Sequence, residues 1–108
     1  MHDTETLKRR LESQLDELEA RQARIAGELS EPPSRDWEEQ AIEREDDDAL
    51  QGEGIIVSRE IASIRRALAR IDDGSYGVCV RCGEDIAPAR LEARPEAALC
   101  IQCARAAM

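Results

Sequence analysis

Four cysteines carry the chemistry that this chain is equipped for. They stand as Cys79-Val-Arg-Cys82 and Cys100-Ile-Gln-Cys103, with 17 residues between the pairs. C-x2-C-x17-C-x2-C is the pattern of a zinc site. Two intervening residues let both thiolates of a pair turn toward one ion, and Gly83 after Cys82 supplies the left-handed residue such a turn uses. Four thiolates close the tetrahedron and leave no position for water, so one Zn2+ held here is structural and not catalytic. A disulfide pair is disfavoured in a reducing compartment. An iron–sulfur cluster also takes four cysteines, but nothing else in the chain points to electron transfer. A thiol redox switch layered on the zinc site stays open. His2, near the N-terminus, is the only histidine, so no histidine-based triad can be built. With no phosphate loop and no open metal position, the chain is not expected to be an enzyme.

Composition narrows the partners. The 108 residues make one domain's worth of chain, with 15 basic and 24 acidic residues and a net charge of -9. Trp37 and Tyr76 are the only aromatics, too few for a base-stacking platform. A chain this acidic is repelled by phosphates, so direct DNA binding is not expected. The longest apolar run, Ala97 to Ile101, has five residues, whereas a membrane span needs about 20. The acidic start Met1-His2-Asp3-Thr4-Glu5 does not read as a secretory signal, and a cytoplasmic location is expected. So few large side chains build a thick core poorly; long helices with a metal staple solve that problem.

The elements that must position the cysteines follow from periodicity. Residues 4–30 read as a helix, with a seam of Leu11, Leu15, Leu18, Ile25 and Leu29; Gln22 fills a core slot and Leu7 lies one turn earlier. Pro32 and Pro33 break it. A second helix, about 37–73, has the seam Leu50, Val57, Ile61, Ile64, Leu68 and Ile71, with Gly54 at the skipped position. Asp36-x-x-Glu39 has the form of a capping box at its start, and Gly74 stops it. Two heptad helices joined by a short loop must pair antiparallel to bury their seams. At about 1.5 Å per residue the second helix is roughly 55 Å long. It outruns the first by about ten residues, and the C-terminal part must cover the excess. Gly52 and Gly54 each weaken a helix by roughly 1 kcal/mol relative to Ala, with no reason visible in the sequence. Residues 74–103 are rich in Gly, Pro and Cys, and 101–108 read as a short closing helix.

Charge is concentrated. Residues 31–53 hold ten acids and two bases, or -8, and the other 85 residues carry -1. Such a run is ordinarily a solvated face. As a functional feature it orients the chain toward a basic partner, with affinity that falls as salt rises. Trp37 beside the Pro-Pro loop is expected to be exposed and to serve as an interface anchor.

At the cysteines the chain resembles the DksA/TraR zinc-finger family of bacterial transcription factors. The resemblance rests on Gly74-Ser75-Tyr76-Gly77-Val78-Cys79, Cys82-Gly83-Glu84, Arg90-Leu91-Glu92-Ala93-Arg94-Pro95, Leu99-Cys100 and Cys103. It covers nearly the whole chain, which is similar to a short family member. The resemblance implies direct binding to RNA polymerase without binding DNA, a hairpin that enters the secondary channel, and an acidic tip near the active site. The family tip motif D-x-x-D-x-A falls on Asp36, Glu39 and Ala41, with Glu for the second acid and Trp37 where longer members usually have proline. The family's alarmone site, which binds guanosine tetraphosphate, gathers basic residues. Arg94 matches one of them, but Ser63 and Ala104 stand where lysines are found. That argues against alarmone binding here, and leaves Arg94 and Arg90 as the nucleotide candidates. Both alternatively pair with Glu84, Asp85 or Glu92 on the surface.

The expected architecture is all-α dominated: a coiled-coil hairpin over 1–73, with its tip at about 30–41, and a four-cysteine zinc module with a closing helix over 74–108. The expected function is regulation of transcription initiation by a monomer that binds RNA polymerase. The alternative is a zinc-stabilised coiled-coil adaptor for another protein.

Overall fold

Heptad spacing and helix-favouring residues produce two long helices, α1 (Thr4–Leu29) and α2 (Trp37–Asp73), followed by two short ones, α3 (Pro88–Ala93) and α4 (Ile101–Ala106). The computed structural model describes residues 4–29 and 37–107, and of 37–48 the helical backbone alone. The expected turn at 30–36, the Asp36-x-x-Glu39 cap and the side chains of Trp37, Glu39 and Ala41 lie outside the described residues. The described residues form no strand; Val78 and Asp85 make one antiparallel bridge. No helix among them is long and apolar enough to cross a membrane.

The chain divides into two compact units. One is Asp16–Ile61, where α1 and α2 run antiparallel. Gln22 Nε2 donates to Ser58 Oγ at 3.1 Å, and Arg21 Nε meets Glu53 Oε1 at 3.1 Å. A side chain begun at Gly54 would lie 3.6 Å from Ile25 Cγ2. From Gln22 to Ile25 on α1 the partner moves back from Ser58 to Gly54 on α2, as antiparallel pairing requires. Ile25, Val57 and Ile61 are buried, as the seam requires. Leu18, Leu29 and Leu50 are half-buried. The unit holds five basic and fifteen acidic residues, a net charge of -10.

Helix α2 continues through Gly52 and Gly54. A Cβ at Gly52 would meet nothing within 4 Å. Gly52→Ala is therefore expected to stabilise the protein by about 0.5–1 kcal/mol, through helix propensity and a less free unfolded chain. A thermal melt reads this as a higher Tm; an unchanged or lower Tm contradicts it.

The second unit joins Met1–Leu15 to Ala62–Met108 and carries a net charge of +1, from ten basic and nine acidic residues. Leu7, Cys79, Ile86, Leu91 and Ala97 form one core cluster, with Tyr76, Leu99, Cys100 and Cys103 packed against it. Leu11, Ile64 and Ala67 are buried as well. Ala67 is fully buried although it lies off the expected seam. The α2 end is capped as expected: Gly74 adopts φ 83, and Ser75 N–H bonds back to Arg70 O at 2.9 Å. Ser75 N–H and hydroxyl both donate to Asp73 Oδ1, which holds that carboxyl below its ordinary range.

Candidate metal centre

Each cysteine pair is built by its local backbone. In the first, Gly83 at φ 78 turns the chain, Gly83 N–H donates to Cys79 O at 3.0 Å, and Cys79 N–H donates to Glu84 O at 2.8 Å. The second pair opens α4. Cys100 is its N-cap residue, and Cys100 Sγ accepts from Cys103 N–H at 3.5 Å. A two-residue spacing thus becomes a turn in one pair and the first turn of a helix in the other.

The structure brings all four predicted ligands together. Their Sγ atoms lie within 4.8 Å of one another, and all four thiols are free. Cys82 Sγ and Cys100 Sγ are 3.8 Å apart. Tetrahedral zinc with bonds of about 2.3 Å has sulfur–sulfur edges of roughly 3.8 Å, so the cluster fits one structural zinc. The sulfur electrostatics point the same way. Backbone N–H groups of Cys100 and Cys82 hold Cys79 down to about 6, whereas the neighbouring Cys100 sulfur leads in pushing Cys103 up to about 12. Four thiols this close cannot all ionise without a cation among them. Cys79 is buried and Cys82 exposed, so one flank of the site faces solvent.

The second pair reaches the site through residues 94–99, which belong to no helix. Side chains from elsewhere in this unit hold that stretch by its carbonyls. Arg90 Nε donates to Leu99 O at 2.9 Å, and Tyr76 Oη donates to Pro95 O at 2.9 Å. Arg70 Nη2 reaches Glu96 O and Ala97 O at 3.4 and 3.5 Å, and Arg10 Nη1 donates to Glu92 O, just ahead of it, at 2.8 Å. Burial lowers the Arg70 pKa and raises that of Tyr76. Sequence reasoning missed this set, and no signal in the sequence could have marked it, because a backbone carbonyl looks the same at every residue.

Arg66, Arg70, Arg90 and Arg94, with Ser63, line a shallow hollow of about 230 Å³. Both nucleotide candidates are therefore in one place, each with a partner. Arg94 pairs with Glu96 at 3.4 Å, not with Glu84, Asp85 or Glu92, and Arg90 meets the Leu99 carbonyl instead of an acid. The short helix α3 that carries Arg90 was not expected; Pro88 at its first turn, ahead of Ala-Arg-Leu-Glu-Ala, was the available signal.

Comparison with known proteins covers both parts of the chain. The model of the prokaryotic dksA/traR C4-type zinc finger matches residues 74–107, and that of the DnaK suppressor protein-like N-terminal domain matches residues 7–71. The solved structure of transcription factor DksA2 from Pseudomonas aeruginosa superposes with a TM-score of 0.83 at 32% identity, covering 94% of this chain and 79% of that one. An uncharacterized protein of Aquifex aeolicus is 38% identical over 91 residues, 82% of this chain and 59% of its own length. The RNA polymerase-binding transcription factor DksA of Caulobacter vibrioides is 52% identical over 42 residues, 39% of this chain and 30% of that protein. The chain thus spans less than two thirds of these two curated relatives.

Proposed function

The chain belongs to the prokaryotic DksA/TraR C4-type zinc-finger family, and from that membership we propose that it regulates transcription by binding RNA polymerase directly. The relatives named as RNA polymerase-binding factors supply the partner class. The observation that carries the reading is charge segregation. The helix-pair unit carries -10 and the zinc-bearing unit +1, so the acid is gathered on the helix pair and the stapled module is close to neutral. In this reading the acidic end, with Asp36, Trp37, Glu39 and Ala41, enters the secondary channel and modulates initiation. The zinc module serves as structural support, DNA is not contacted, and the protein acts as a cytoplasmic monomer, where thiolates stay reduced.

The alarmone has no part in this reading. Arg90 and Arg94 are already engaged, and Ser63 offers the hollow no cation. A phosphate at Arg94 would compete with Glu96 for the guanidinium.

The test is binding to purified RNA polymerase with a known secondary-channel protein as competitor. Competitive binding is expected, weakening as salt rises from about 50 to 300 mM because exposed charges are screened. Binding without competition keeps the partner and moves the contact surface. No binding at low salt, with zinc retained, overturns the reading in favour of an adaptor, for which the exposed Ile55 and Ile56 on α2 offer an apolar contact.

A further inference from the structure

The two cysteine pairs are not held equally. The first is closed by its own turn, through the Gly83-to-Cys79 and Cys79-to-Glu84 backbone bonds. The second depends on where residues 94–99 deliver it. Cys103 N–H to Cys100 Sγ and Ala104 N–H to Cys100 O shape this pair internally, but neither bond ties it to the first. At its entry two contacts hold it, one from the first pair's own turn through Val80 and one from α3 through Arg90. Val80 N–H donates to Ala98 O at 2.9 Å, and Arg90 Nε donates to Leu99 O at 2.9 Å. The Leu99 carbonyl carbon is bonded directly to the Cys100 nitrogen, so it is the last side-chain-held point before a ligand. Arg90 can hold it firmly because the next residue, Leu91, is 0% exposed and pins α3 in the core. The other grips act further back along the chain, at Glu92, Pro95, Glu96 and Ala97.

We infer that Arg90 is the latch of the zinc site: a positioning residue that sets how fast the second cysteine pair opens and the ion leaves. Opening moves Cys100 and Cys103 away from Cys79 and Cys82 as a body, and the bond from Arg90 to Leu99 O must break for that to happen. A guanidinium suits the task. Its Nε–H points sideways from a planar fork, so a lysine at the same place keeps the charge and loses the geometry. This role needs no polymerase and stands apart from the function proposed above. It also gives Arg90 a purpose other than nucleotide recognition.

The experiment is zinc transfer from the full-length, zinc-loaded protein to a chromophoric chelator in excess, followed as a rate. Arg90→Gln is expected to release zinc about tenfold or more faster than wild type, the lower end of what outer-shell partners of a metal site contribute. Arg90→Lys is expected to stay fast, because charge alone does not rebuild the bond. Arg94→Gln, whose parent side chain is 68% exposed, is expected to release at the wild-type rate. A wild-type rate for Arg90→Gln overturns the inference. Full restoration by Arg90→Lys also overturns it, since positive charge near the thiolates would then be the whole effect. So does equal acceleration by Arg94→Gln. If Arg90→Gln does not retain zinc through purification, the Arg90→Lys and Arg94→Gln rates decide by the same criteria.

Discussion

Stripping the zinc, or replacing Cys103 with Ser, is expected to unfold the unit built from Met1–Leu15 and Ala62–Met108. Structural zinc contributes on the order of 10 kcal/mol or more to folding where the apo chain is unfolded, as much as the whole net stability of an ordinary small domain. The core around the cysteines is small, with Leu7, Ile86, Leu91 and Ala97 as its buried non-cysteine members. Losing the ion frees residues 94–99, and with them the carbonyls that hold Arg70, Tyr76 and Arg90. Far-UV circular dichroism should fall, the environment of Tyr76 should become aqueous, and the melting transition should lose cooperativity, all reversed by added zinc. An unchanged melt after complete chelation contradicts this. The pH dependence has a definite sign. Zinc-bound thiolates stay deprotonated well below the ordinary thiol value of 9.0. The folded, loaded state therefore binds fewer protons than the unfolded chain, and stability falls as pH falls. Zinc and fold should be retained at neutral pH and above and lost together in acid.

Replacements at the acidic end are expected to abolish regulation and leave the protein intact. Glu39→Ala or an Ala41 substitution should remove the effect on polymerase, with zinc content and helicity unchanged. Asp36 needs a finer test, because α2 begins at Trp37 and an acid just before it is a natural cap. Asn caps a helix about as well as Asp and has no charge. If Asp36 only caps, Asp36→Asn is silent and Asp36→Ala costs about 1 kcal/mol of stability. If it contacts the polymerase, Asp36→Asn loses regulation at wild-type stability. The measurements are an initiation assay and a thermal melt on each variant. Full regulation by Glu39→Ala, Ala41-substituted and Asp36→Asn proteins would remove the tip from the function.

The sequence by itself determined the two long helices, the closing helix and the metal ligands, but not α3. A seam at three- and four-residue steps can be buried only by a helix, Pro-Pro cannot continue one, and Gly74 can end one, so the ends at Leu29, Trp37 and Asp73 were legible. The four cysteines were legible because a metal demands particular atoms at particular spacing, and only a few residues provide them. The tertiary structure alone decided what those elements touch. It put Leu7 in the core of the zinc module, buried Ala67 completely, and gave Arg94 to Glu96. It also turned Arg90 toward the Leu99 carbonyl. Periodicity says which face of a helix is apolar, but not which distant segment covers it. Charges along a chain show how many partners exist without showing which of them meet in space. A guanidinium that bonds to backbone meets an acceptor every residue carries, so the partner is chosen by the packing of α3 against the core.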